Sequence, residues 1–129
     1  MPHLRVEYSP GLEALTDMRA LCGRLHGAMV ETGVFPLAGI RIKAHRCDEV
    51  CVADRHSDNH FLALELSVGA GRSKPALAAA GQAVFAAAQE AVADLLAQPH
   101  FMLSLEIREI DPELSWKANP VHARLKAES

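Results

Sequence analysis

A chain of 129 residues, half of them hydrophobic and 22% charged, is long enough to bury one modest core and too apolar to remain disordered. Its formal charge of -3 gives no reason to expect nucleic acid or an anionic membrane as partner, since both favour clustered Lys and Arg. Nor do Met1-Pro2-His3-Leu4-Arg5 read as a secretory signal, and the apolar region around 76–97 is broken by Gln82, Gln89, Glu90 and Asp94, which argues against a membrane span.

His3 to Tyr8 alternates Leu4, Val6 and Tyr8 against His3, Arg5 and Glu7, the period of a strand. Ser9-Pro10-Gly11 breaks it. Leu12, Leu15, Cys22, Leu25 and Met29 then form the stripe of an amphipathic helix, with Thr32-Gly33 as a stop because Gly readily adopts the left-handed closing conformation. A second strand is expected over Ala38 to His45. The segment Arg46 to His60 is polar and reads as a loop with a short strand or turn.

The pattern then repeats. Phe61 to Val68 is an apolar strand, Gly69-Ala70-Gly71 a turn, and Ser73 a helix cap with Pro75 in the first turn. Leu77, Val84, Ala88, Val92 and Leu95 carry that helix to about Gln98, and Phe101 to Ile110 is the last long strand. Leu4, Val6, Glu7 and Ser9 fall on Leu62, Leu64, Glu65 and Ser67, so the chain reads as one domain, 1–129, built of pseudo-repeats 2–46 and 60–110 with a C-terminal arm, 111–129. The expected fold is α+β: a duplicated β-α-β unit giving a four-stranded sheet with two helices on one face. The other face carries Arg5, Glu7 and Glu65, and symmetric self-association would cover it. Leu114 and Trp116 of the arm are candidates to touch a neighbouring subunit.

Three cysteines, Cys22, Cys47 and Cys51, form no disulfide framework and fit a reducing, cytoplasmic setting. Pro2 follows a methionine that is normally excised before a small residue, which would leave a rigid secondary amine at the start of a strand. Such an amine titrates closer to neutrality than lysine, as general acid–base work requires; many chains nevertheless begin Met-Pro without catalysing anything. Arg41, placed on an interior strand between isoleucines, is either paired to a carboxylate or held for an anion. Arg72 ends the Gly-rich turn that opens the second helix, where backbone N–H groups already favour an anion, and the same two readings apply. In the repeat alignment Glu106 falls where Arg41 stands and His60 where Pro2 stands, so only the first half offers a free amine. Phe35 and Trp116 could line a ligand pocket or simply pack. Cys47, Cys51, His56 and His60 fall in an order that a zinc site could use, although only four residues separate the Cys pair from the His pair.

Pro2-His3, the block Thr32-Gly33-Val34-Phe35-Pro36-Leu37-Ala38-Gly39-Ile40-Arg41, then Gly69-Ala70-Gly71-Arg72-Ser73, Leu103-Ser104-Leu105-Glu106-Ile107, and Trp116-Lys117 with Asn119 and Val121-His122 resemble the 5-carboxymethyl-2-hydroxymuconate isomerases of the tautomerase superfamily. The resemblance runs from Pro2 to about Leu125. It implies a homotrimer with sites near subunit boundaries and isomerisation of a dienol tricarboxylate in bacterial breakdown of homoprotocatechuate, without metal or organic cofactor. By that resemblance Pro2 carries the proton and Arg41 and Arg72 bind or polarise the substrate; Lys43 is added here as a further contact. The loop Arg46 to His60 departs from the family and leaves substrate range open. Other readings are a tautomerase-fold enzyme for another enol or α-keto acid, an inactive scaffold, or a zinc-binding module.

Overall fold

The computed structural model describes residues 2–129. Its main elements are β1 (His3–Tyr8), α1 (Met18–Glu31), β2 (Arg41–Arg46), β3 (His60–Gly69), α2 (Lys74–Ala91), α3 (Ala93–Leu96), β4 (Phe101–Ile110) and α4 (Pro120–Glu128). The strands form one sheet in the order β2-β1-β3-β4. β1 runs parallel to β2 and β3 parallel to β4, while β1 and β3 are antiparallel and join the two β-α-β units. Each crossover therefore adds its second strand on the outside. Among the described residues no helix is long and apolar enough to cross a membrane.

Alternation decides which sheet face is dry. Leu4 and Val6 of β1 and Leu62, Leu64, Leu66 and Val68 of β3 are buried together with Leu21, Leu25 and Met29 of α1 and Leu77, Val84 and Ala88 of α2. Both helices cover this one face. Burying a Leu or Val side chain contributes about 1.5–3 kcal/mol, so the stripe outweighs the modest helix propensity of its β-branched members. Gly81 marks the closest approach of α2 to β4: a Cβ there would stand 2.9 Å from Ile107 Cδ1.

Several expected boundaries shift, each for a local reason. The helix expected from Leu12 begins at Met18, because Gly11 (φ 94°) opens a separate 3-10 turn, Leu12–Ala14, and Asp17 caps the helix by accepting the Ala20 N–H (3.1 Å). Leu15 is consequently exposed. β2 starts at Arg41 and not Ala38, since Leu37–Gly39 closes a 3-10 turn first. The long second helix stops at Ala91 and resumes as α3, because Val92 (φ -116°, ψ 27°) leaves the helical region. The arm is more structured than expected: it holds a 3-10 turn, Pro112–Leu114, and α4, and it returns to its own chain where Asn119 Nδ2 donates to the Ala38 carbonyl (3.0 Å).

Candidate active site

Strand register assembles one end of the sheet. Pro2 leads into β1, Arg41 opens β2, and β3 ends there in Gly69, followed by the turn that carries Arg72. Pro2 is buried, and its carbonyl accepts the backbone N–H of Arg41 (3.4 Å). On the open face, Arg41, His3, Ser67 and Arg108 form one row, and Lys43, Arg5, Glu65 and Glu106 form the next. Cations thus gather on the β2–β1 side. Arg108 reaches the carboxylates of Glu65 (3.3 Å) and Glu106 (3.2 Å), so those glutamates share one cation on the β3–β4 side.

Two expectations about Arg41 change here. It stands on the edge strand, because the crossover places β2 outside β1. Its counterpart is not Glu106: Arg41 pairs with His3 at the start of β1, whereas Glu106 pairs with Glu65 well inside β3. With Leu4 set on Leu62, the equivalent of Arg41 is Met102, opposite Phe61.

His3 belongs to the site, and sequence reasoning passed over it. Its Nδ1 is buried without a hydrogen-bond partner among the described residues. Burial, then the charges of Arg41, Lys43 and Arg5, hold its pKa below the usual 6.5, so the ring stays neutral at neutral pH. A signal did exist, since His3 alternates onto the face of Arg5. What was missing was the register that sets it beside Arg41.

Arg72 is fixed by its own chain. Its Nε donates to the Val34 carbonyl (3.1 Å), its Nη1 to the Gly69 carbonyl (3.3 Å), and its guanidinium lies 5.1 Å from the centroid of the Phe35 ring. Phe35 is itself buried, so it supports the arginine from below. These contacts leave part of the donor fork for a ligand. Trp116, 84% exposed, borders a cleft of about 590 Å³ between the arm and the Leu37–Gly39 turn, together with Arg41, Lys117 and Asn119. Arg41 and Trp116 thus share one cavity. Lys43 lies one row further along β2 and exposes its side chain on the same face.

The sequence-based zinc set does not form. Cys47 and Cys51 are free thiols, and His60 Nδ1 is 2.8 Å from Ser9 Oγ, whose oxygen also accepts the Phe61 N–H. A different trio, His56, Asp58 and His100, converges instead at the end of the sheet opposite Pro2.

This four-stranded mixed sheet of two β-α-β units is a tautomerase-like fold. Structures with that fold include Pt0534 inactivated by 2-oxo-3-pentynoate, 17% identical with a TM-score of 0.72 over 90% of this chain and 92% of that one. The family model for 5-carboxymethyl-2-hydroxymuconate isomerase matches residues 2–125, and the chain belongs to that family of isomerases. The 5-carboxymethyl-2-hydroxymuconate Delta-isomerase of Escherichia coli is 36% identical over 126 residues, covering 98% of this chain and all of the relative. A 5-carboxymethyl-2-hydroxymuconate isomerase from Deinococcus radiodurans R1 is 37% identical with a TM-score of 0.88, covering 96% of this chain and 93% of that one.

Proposed function

We propose that this isomerase converts the dienol 5-carboxymethyl-2-hydroxymuconate to its α,β-unsaturated 2-oxo isomer, as in homoprotocatechuate degradation, with the amine of Pro2 as acid and base. The observation that carries the reading is the placement of Pro2 at the head of β1, bonded through its carbonyl to Arg41, with a neutral His3 paired to Arg41 across the strands and the charges of Arg5 and Lys43 acting on His3. Adjacent cations favour an amine in its neutral, proton-accepting form. They also attract a substrate bearing three carboxylates.

The steps balance without an external reagent. Pro2 nitrogen accepts the proton of the 2-hydroxyl, the electron pair moves through the conjugated system, and the same nitrogen delivers a proton to C-5. Negative charge gathers near the C-2 oxygen as the proton leaves. A guanidinium aimed there stabilises the transition state more than the ground state, which raises the rate and not merely the affinity. Arg41 fills that role, Arg72 and Lys43 bind substrate carboxylates, and Trp116 walls the cleft.

A homotrimer fits the half-polar open face and the exposed Leu37, Leu114, Trp116 and Val121 at the site's end of the sheet. A related fold, 23% identical with a TM-score of 0.62, is a fused 4-OT symmetric trimer. Three free cysteines suit a reducing cytoplasm.

The test follows the ultraviolet decay of a 2-hydroxymuconate-type dienol with protein whose intact mass shows Met1 removed, beside Pro2→Ala. Fast ketonisation that the substitution abolishes is the expected result. Equal rates in both proteins would remove Pro2 from the mechanism, and no rate above buffer would separate this chain from the reaction named by its family.

A further inference from the structure

The end of the sheet opposite Pro2 holds a polar cluster that the isomerisation does not use. His56 and Asp58 lie in the loop after β2, and His100 immediately precedes β4. Each offers one ligand atom, and these atoms lie within 4.8 Å of one another. The imidazoles of His56 and His100 stack with centroids 4.2 Å apart and planes 25° from parallel.

Asn59 sets the chemistry of this cluster. Its Nδ2 donates to the Val52 carbonyl (3.1 Å) and to Asp54 Oδ1 (2.7 Å), which fixes the direction of the amide. The Oδ1 end can only accept, so His100 Nδ1, 3.0 Å away, must be the donor. In the neutral ring this leaves the lone pair on Nε2. An outer carbonyl that pins the second imidazole nitrogen as N–H is the arrangement that orients histidine toward a metal. His56 exacts a small cost, because its Nδ1 now accepts the Asp58 N–H (3.1 Å). A neutral imidazole has one lone pair, so binding an ion through either nitrogen forfeits that exposed bond.

We propose that His56, Asp58 and His100 bind one divalent cation of the zinc class. Two imidazoles and one carboxylate suit zinc, whereas calcium and magnesium prefer all-oxygen sites and copper(I) prefers thiolates. Asp58 and His100 also border a cavity of about 440 Å³, from which water or a small anion would complete the shell. The ion ties the loop to the start of β4. It lies at the His60 end of β3, eight residues or about 27 Å from the level of Pro2, and therefore takes no part in proton transfer there.

The experiment uses chelator-dialysed full-length protein titrated with zinc by calorimetry and with cobalt(II) by visible absorption, beside Asp58→Asn and His100→Ala. One equivalent of either metal is expected to bind. Cobalt should give d–d bands without the near-ultraviolet transition that a thiolate produces, zinc should raise the melting temperature, and both substitutions should abolish these effects. Metal-free melting curves that match the unaltered protein would show both variants folded; Asp58→Asn, an exposed and conservative change, suffices should His100→Ala not fold. Absence of saturable binding, a thiolate band, or unchanged affinity in Asp58→Asn would each overturn the site.

Discussion

The backbone N–H of Arg41 donates to the carbonyl of Pro2, so the first turn of β2 is locked to the residue whose nitrogen is the proposed base. Main-chain geometry thereby contributes to the arginine's position. Substituting it should remove charge and leave the strand pairing in place.

Arg41→Ala is expected to lower kcat/KM about tenfold to hundredfold, the equivalent of losing one charge-assisted contact of roughly 1.5–3 kcal/mol. Steady-state rates at low and high salt would check it. The variant should also lose part of the salt dependence, because one steering charge is gone. Unchanged kinetics would remove Arg41 from the site.

Arg72→Ala should cost both activity and stability. The guanidinium holds the Val34 and Gly69 carbonyls and covers Phe35, so its loss frees two acceptors and bares a buried ring. A destabilisation of about 1–3 kcal/mol is expected by urea unfolding. Arg72→Lys keeps the charge but not the fork, and should recover less than half of that loss.

His3 predicts an acid-side loss of stability. Its folded pKa lies below the usual 6.5, so on lowering the pH the unfolded chain takes up the proton first. Stability from this group is complete above the unfolded value and falls as pH drops through the interval down to the folded one. Melting temperatures of the native protein and His3→Gln, measured between about pH 5 and 8, should converge toward acid as the native protein loses its advantage. Parallel curves would show that His3 does not titrate differently on folding.

Burial pushes the Cys22 thiol upward, whereas Cys51 is exposed. Alkylation followed by intact mass and peptide mapping should label Cys51 first and Cys22 last, since the thiolate is the reactive species.

Periodicity made much of this fold legible. Alternation in β1 and the apolar run of β3 marked the dry sheet face, and Ser73-Pro75 marked the start of α2 to within a residue. What periodicity cannot encode is which strand neighbours which. Arg41 therefore looked interior until the strand order put it at the edge, and the repeat alignment slipped at Glu106, whose alternation matches that of Arg41 while its register does not. Leu12 and Leu15 joined the α1 stripe by spacing alone, yet Gly11 and Asp17 cut them off by local backbone chemistry. Pro2, Arg41 and Arg72 could be picked out by residue type and context, but His3 could not. Its importance comes from a cross-strand pairing and an unfilled ring nitrogen, and both exist only in three dimensions. The cluster at His56, Asp58 and His100 was hidden likewise, because His100 reaches the loop from forty-odd positions away (about the length of a whole β-α-β unit).

β1 precedes the other three strands in the sequence, yet it lies inside the sheet, flanked by β2 and by a β3 that ends only at Gly69. At usual rates of translation about 3–12 s separate the end of β1 from the end of β3, and until then β1 lacks one of its two neighbours. Once both strands dock, Pro2 is buried and its carbonyl engaged. On the proposed mechanism, Met1 is therefore expected to leave most readily before both neighbours of β1 are in place.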